Sequence, residues 1–245
     1  MTANPSLWRV ATAGLVLGLL FWGSSLADER SYSPGDPDRL VDADAPSAAR
    51  QLTAWVLETA DNQGLPFLII DKINAEALAF DREGQLLGTA PVLLGLAQGD
   101  TSPAGIGDRT LSAIAPGERI TPAGRFLASM GENLDGKSIL WIDYDAALSL
   151  HPVITTRAAD RRQQRLASAT AEDNRISYGC INVPAKFYDE VVGPAFSGTM
   201  GVVYILPEDQ SLSDVFFLAE GIISSAEGEG GPPLGSVRAQ SGQAH

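Results

Sequence analysis

Apolar and polar positions change texture along the chain. Near the start, Leu52, Trp55 and Val56 recur at i, i+3 and i+4, which predicts an amphipathic helix from Ser47, as N-cap, to Asn62. Gly64 and Pro66 end it. The period then shortens. Phe67-Leu68-Ile69-Ile70 is a continuous apolar run, Ala75 to Phe80 is a second strand closed by the turn Asp81-Arg82-Glu83-Gly84, and Pro91 to Leu94 is a third. Residues 95–120 are rich in Gly, Ser, Thr and Pro and read as a long loop with little structure of its own. Ser138 to Ile142 and Gly201 to Leu206 add two strands of good β-formers. Pro184 suits the first turn of a helix whose inner face is Phe187, Val191 and Val192. A further helix is expected over 211–224, capped by Ser211, with Leu212, Val215, Phe216 and Leu218 mostly on one side. Many short strands with few helices predict a mainly β domain.

The two ends read differently from this middle. Arg9, the apolar run Val10 to Trp22 and the small-residue site Ser25-Leu26-Ala27 predict an export signal over residues 1–27. The run is short for a membrane span, so cleavage is the first expectation and an uncleaved anchor, tethering the protein to a membrane, the second. Either places the working part outside the cytoplasm, in a periplasmic or equivalent space. Residues 28–45, polar and rich in Asp and Pro, read as a linker, and residues 225–245 as a disordered tail. The expected domain lies between, over 46–208.

Charge narrows the partners. A formal net charge of −13 leaves too little basic surface to neutralise phosphates, so nucleic acid is excluded as a partner. No phosphate-cradling glycine motif is present, and one cysteine with two histidines makes no zinc spacing, so neither metal nor cofactor is expected. The arginines between Arg157 and Arg175 read as a solvated face. Arg175 is the exception, a candidate substrate-binding cation because it stands close in sequence to the cysteine.

That cysteine, Cys180, is the single thiol of the chain. In an exported protein it has no intramolecular disulfide to make, which leaves a buried apolar role, an intermolecular link or a nucleophile. A free thiol is only a few per cent ionised at neutral pH, and a nearby histidine corrects this by taking the proton. His245 ends the tail, so His151 is the only candidate base. Gly179 lets the backbone approach a substrate, and the N–H groups of Gly179 and Cys180 are candidate donors to an oxyanion. Ser177 is a candidate to bond the imidazole or the backbone.

Ser177-Tyr178-Gly179-Cys180-Ile181-Asn182 resembles the S-H-G-C-[IV]-R signature of the L,D-transpeptidase catalytic domain family (YkuD-like). Ile69-Ile70-Asp71-Lys72 with Ala79-Phe80-Asp81 looks like that family's opening hairpin, Gly84 through Val92 like its next turn and strand, and Thr121-Pro122-Ala123-Gly124-Arg125-Phe126 like its T-P-x-G-x-F element. His151 falls where the family places its upstream catalytic histidine, with a longer gap to the cysteine. The resemblance covers roughly residues 66–207. It implies a β-sandwich or barrel-like fold with a few peripheral helices, peptidoglycan stem peptides as substrate and a cysteine acyl-enzyme. Carried over, Cys180 is the nucleophile and His151 the base, with Ser177 and Gly179 shaping the site.

Two positions depart from the signature: Tyr178 stands for its histidine and Asn182 for its arginine, and both are candidate substrate contacts. Asparagine brings no charge to neutralise a substrate. Three readings follow: a transpeptidase that resolves the acyl group with an amine, an L,D-carboxypeptidase-like hydrolase that resolves it with water, and a non-catalytic wall-binding protein on the same fold.

Overall fold

The computed structural model describes residues 30–34 and 47–217. The expected export signal, most of the expected linker, the end of the expected 211–224 helix and the expected tail lie outside the described residues. Among the described residues, no helix is long and apolar enough to cross a membrane.

The chain is mainly β. Strands β1 (Ser33–Pro34), β2 (Phe67–Asp71), β3 (Glu76–Phe80), β4 (Leu86–Pro91), β6 (Gly124–Glu132), β7 (Ser138–Asp143), β8 (Leu148–Pro152), β10 (Ile181–Val183) and β11 (Met200–Ile205) form one sheet in the order β1-β4-β3-β2-β11-β6-β7-β8-β10. A small second sheet pairs β5 (Leu94–Gly95) with β9 (Arg175–Ser177). The stretch 86–95 closes the figure: β4 pairs with β3, Leu93 then exchanges backbone hydrogen bonds of 2.8 and 2.9 Å with Asn182 of β10, and β5 continues onto β9. The sheet is thereby a nearly closed barrel with few helices, as the sequence predicts.

The continuous apolar run of β2 follows from burial on both of its faces. Leu68 and Ile70 point into a core shared with Ala77, Ala79, Val203 and Ile205, which the helical run 185–196 covers through Phe187, Val191, Val192 and Phe196. Phe67 and Ile69 point the other way, onto Leu52 and Val56 of helix α1 (Ser47–Thr59), with Phe80, Tyr204 and Phe216. Fully burying each such side chain contributes on the order of 1.5–3 kcal/mol, so the two layers rather than the loops hold the barrel.

Several elements differ from the sequence expectation. The third strand runs from Leu86 to Pro91 rather than from Pro91 to Leu94, because Gly88 and Thr89 still pair with Ala79 and Leu78. The nine-residue strand β6 carries Gly124, Arg125, Ser129, Gly131 and Glu132, and its pairing on both sides with β11 and β7 overrides that weak local signal. Asn182, a candidate substrate contact, lies inside β10. The loop 95–120 carries three short 3₁₀ turns, Ile106–Asp108, Leu111–Ala113 and Pro116–Glu118. Ser33–Pro34, expected within the linker, pairs with β4.

Candidate active site

β8 and β10 are parallel, with Asn182 in register with His151. Side chains two apart on a strand share a face. Ser149 and His151 therefore stand on the same side of the sheet as Cys180 and Asn182, in a two-by-two array at the strand ends. The Ser149 hydroxyl lies 3.6 Å from the Cys180 sulfur, and the thiol reaches the Ala147 carbonyl at 3.5 Å.

The imidazole has one nitrogen committed. Nδ1 lies 2.9 Å from the Pro152 carbonyl oxygen, which can only accept, so this nitrogen carries the proton. Nε2 therefore keeps a lone pair, with the Asn182 amide nitrogen 3.4 Å away. Burial pushes the Cys180 thiol up, but the hydrogen bond and charge of the His151 imidazole, helped by Ser149, outweigh it and leave the thiol below its ordinary value. Burial likewise pushes His151 down, while Cys180 and the Pro152 carbonyl raise it above its ordinary value against the opposing charge of Arg162. Thiol and imidazole therefore stabilise each other's charged form.

The loop before the thiol is fixed from below. Gly179 has φ +132°, and a Cβ there would sit 2.8 Å from the Ile120 carbonyl oxygen, so only glycine fits. Its N–H donates to Ser177 Oγ at 3.0 Å, and its carbonyl accepts from Thr121 Oγ1 at 2.7 Å. Ser177 thus serves the backbone rather than the imidazole. The expectation that Gly179 offers its N–H to an oxyanion is corrected: that donor is already engaged, and the Cys180 N–H is the remaining one. Thr121, fully buried, accepts in turn from the Gly95 N–H at 2.8 Å.

Above the thiol, Tyr178 lines a cleft with Ile106, Arg109, Leu111 and Ala147. The Arg119 guanidinium lies over the Tyr178 ring, 4.0 Å from its centroid. The first two 3₁₀ turns of the 95–120 loop contribute Ile106, Gly107 and Leu111 to the same lining.

The arginines reverse the expectation. Arg175 does not approach Cys180; it pairs with Glu208 and donates to the Lys72 carbonyl at 3.1 Å, because β9 directs it toward a buried charge cluster. In that cluster the Lys72 ammonium donates to Asp100, to the Gly99 carbonyl and to the Thr121 carbonyl. Burial pushes the Asp100 carboxyl up, but Lys72 and the backbone N–H groups of Glu208, Gln210 and Asp209 bring it down to about 2. The arginine that does reach the site is Arg162, at the start of helix α2 (Arg162–Leu166), whose Nη1 donates to Asn182 Oδ1 at 2.6 Å. Of the expected residues, Cys180, His151, Ser177, Gly179, Tyr178 and Asn182 come together and Arg175 does not. Ser149, Thr121 and Arg162 were not singled out. The spacing Ser149-x-His151 beside Cys180-x-Asn182 marks Ser149 once the strands are paired, and Thr121 lies in the T-P-x-G-x-F element. Nothing local marks Arg162.

Among the described residues, no group of three or more His, Cys, Asp or Glu side chains is placed to hold a metal ion. What the array can do is ionise a thiol beside a base, next to a cleft.

No family model and no curated protein sequence matches the chain. Among solved structures it is similar to the L,D-transpeptidase catalytic domain from E. faecium, with 18% identity and a TM-score of 0.35 over 57% of this chain and 95% of that one. It is also similar to an L,D-transpeptidase from Xylanimonas cellulosilytica, with 14% identity and a TM-score of 0.33 over 58% of this chain and 60% of that one. A third is the helical cell shape determining protein Pgp2 from Campylobacter jejuni, with 13% identity and a TM-score of 0.38 over 60% of this chain and 49% of that one.

Proposed function

We propose that this protein is a cysteine acyltransferase of the L,D-transpeptidase kind, acting outside the cytoplasm on peptidoglycan stem peptides. The observation that carries this reading is the placement of Cys180 beside Ser149 and His151 on one face of two adjacent parallel strands, where thiol and imidazole each favour the other's charged form. The motif resemblance of residues 66–207 supplies the substrate class.

In the proposed reaction the thiol proton passes to His151 Nε2 as Sγ attacks the carbonyl between the diamino acid and the terminal D-alanine. The sulfur–carbon bond forms, and the oxyanion takes the Cys180 N–H. The imidazolium returns its proton to the leaving amine, the carbon–nitrogen bond breaks and D-alanine departs, leaving a thioester. An amine of a neighbouring stem attacks that thioester, His151 accepts its proton, the sulfur–carbon bond breaks and the thiolate is released to recover a proton from the imidazolium. Tyr178 lies on the cleft wall where a stem would rest. Arg175 has no part in this scheme.

Incubation with a disaccharide tetrapeptide tests the reading by mass spectrometry. The expected result is an adduct on Cys180 of the substrate mass less D-alanine, absent in Cys180→Ala, followed by a cross-linked dimer. A tripeptide without dimer assigns the hydrolase instead. No adduct in a folded protein overturns the acyl-enzyme itself.

A further inference from the structure

Asn182 sits between Arg162 and the catalytic pair, and its orientation is decided by Arg162. A guanidinium only donates, so the amide oxygen must face it, at 2.6 Å. The amide nitrogen is thereby turned to the other side, 3.4 Å from His151 Nε2 and 3.4 Å from the Cys180 carbonyl oxygen. Arg162 is itself held by Asp160, which accepts from its Nε at 3.1 Å. The backbone of Asn182 is fixed by its bonds to Leu93, and the residue is 1% exposed, so Arg162 alone sets which way its amide faces.

We infer that Arg162 is a positioning residue that, through Asn182, opposes protonation of His151 and so restrains the thiolate form of Cys180. An N–H pointed at Nε2 is satisfied only while that nitrogen keeps its lone pair. Once Nε2 takes the thiol proton, two donors face each other. The cationic guanidinium adds to the cost, and it lowers the basicity of His151 against the pull of Cys180. Asn182 Nδ2 and the thiol thus compete for one lone pair.

The other groups around the pair do not substitute for this effect. β8 offers the Ser149 hydroxyl to the sulfur, the crossover offers the Asp160 carboxylate to Arg162 and the Asp160 carbonyl to Arg165, and the cleft side offers Tyr178 and Arg109. Without Arg162 the Asn182 amide is free to turn its oxygen to Nε2. Nδ1–H to Pro152 and Nε2–H to Asn182 then both favour imidazolium, and imidazolium favours thiolate.

This inference rests on the Cys180–His151 reading of the site, but its test needs no peptidoglycan. Alkylation of the full chain with iodoacetamide is followed across pH 5 to 9 for the wild type, Arg162→Gln, Arg162→Lys and Asn182→Ala. Arg162→Gln is expected to move the thiol ionisation about one pH unit lower, which raises the alkylation rate near pH 6 roughly threefold once the lower nucleophilicity of the more acidic thiol is allowed for. Asn182→Ala moves it the same way by less, and Arg162→Lys restores the wild-type profile. A profile for both Arg162→Gln and Asn182→Ala that is unchanged, or moved to higher pH, overturns the restraint, provided circular dichroism shows both folded. The acyl-enzyme assay fails or succeeds independently of this result, so loss of one reading is distinguishable from loss of the other.

Discussion

The hydroxyl of Thr121 donates a 2.7 Å hydrogen bond to the carbonyl of Gly179, the residue before the thiol, and accepts one from the Gly95 N–H. One buried side chain thereby fixes both the loop that carries Cys180 and the strand that closes the barrel. Thr121→Val keeps the shape and leaves a buried donor and acceptor without partners, at a cost of about 1–3 kcal/mol. Acyl-enzyme formation is expected to fall by up to about 100-fold, since small displacements of a nucleophile have effects of that size. Thr121→Ser is expected to retain both. Urea denaturation and single-turnover mass spectrometry read the two effects; a fully active Thr121→Val breaks the link.

Burial and the His151 imidazole act on the Cys180 thiol in opposite directions. In His151→Ala the burial that raises the thiol acts without the imidazole that lowers it. The ionisation should move up, to the free-thiol value of about 8.5 or beyond. In the wild type, reactivity rises from the acid side as the thiol loses its proton below that value. Iodoacetamide kinetics against pH check this, and superimposable profiles for the two proteins would remove His151 from the site.

Arg175 supplies a contrast. Its guanidinium is committed to Glu208 and the Lys72 carbonyl, so Arg175→Gln is expected to cost roughly 2–4 kcal/mol by leaving a largely buried carboxylate short of a partner. The Cys180 alkylation profile should stay where it is. A shift in that profile would return Arg175 to the site.

Asp100 predicts an acid-sensitive step in stability. Its folded value of about 2 lies below the ordinary carboxylate value, so its stabilisation is fully present above about pH 4 and is lost as pH falls through 2. The size is roughly 2 kcal/mol. Urea midpoints taken from pH 5 to pH 2 should fall steeply in the wild type and more gently in Asp100→Asn.

How much of this could be read from the sequence follows from how local each signal is. β2, β3, β7 and β11 are dense in apolar β-formers and were legible, as were α1 and the helical run after Pro184. β6 was not, because its glycines and polar residues gain their strand state from two neighbours distant in sequence. Cys180 and His151 were legible through scarcity, with one thiol and one histidine that could be positioned. Arg162 and Arg175 could not be ranked that way. Nearness in sequence favoured Arg175, whereas the crossover from β8 to β10 carries Arg162 back over the strand ends and turns Arg175 away.

The bridge between Leu93 and Asn182 has a consequence for how a peptide can arrive. β10 would be an ideal edge for an incoming extended chain to pair with, and many peptide-binding proteins use such an edge. Here its backbone is occupied on one side by β8 and at Asn182 on the other by Leu93. Strand addition at Asn182 is closed to a ligand. A ligand reaching Cys180 would meet side chains and the cleft wall there rather than a free strand edge at Asn182.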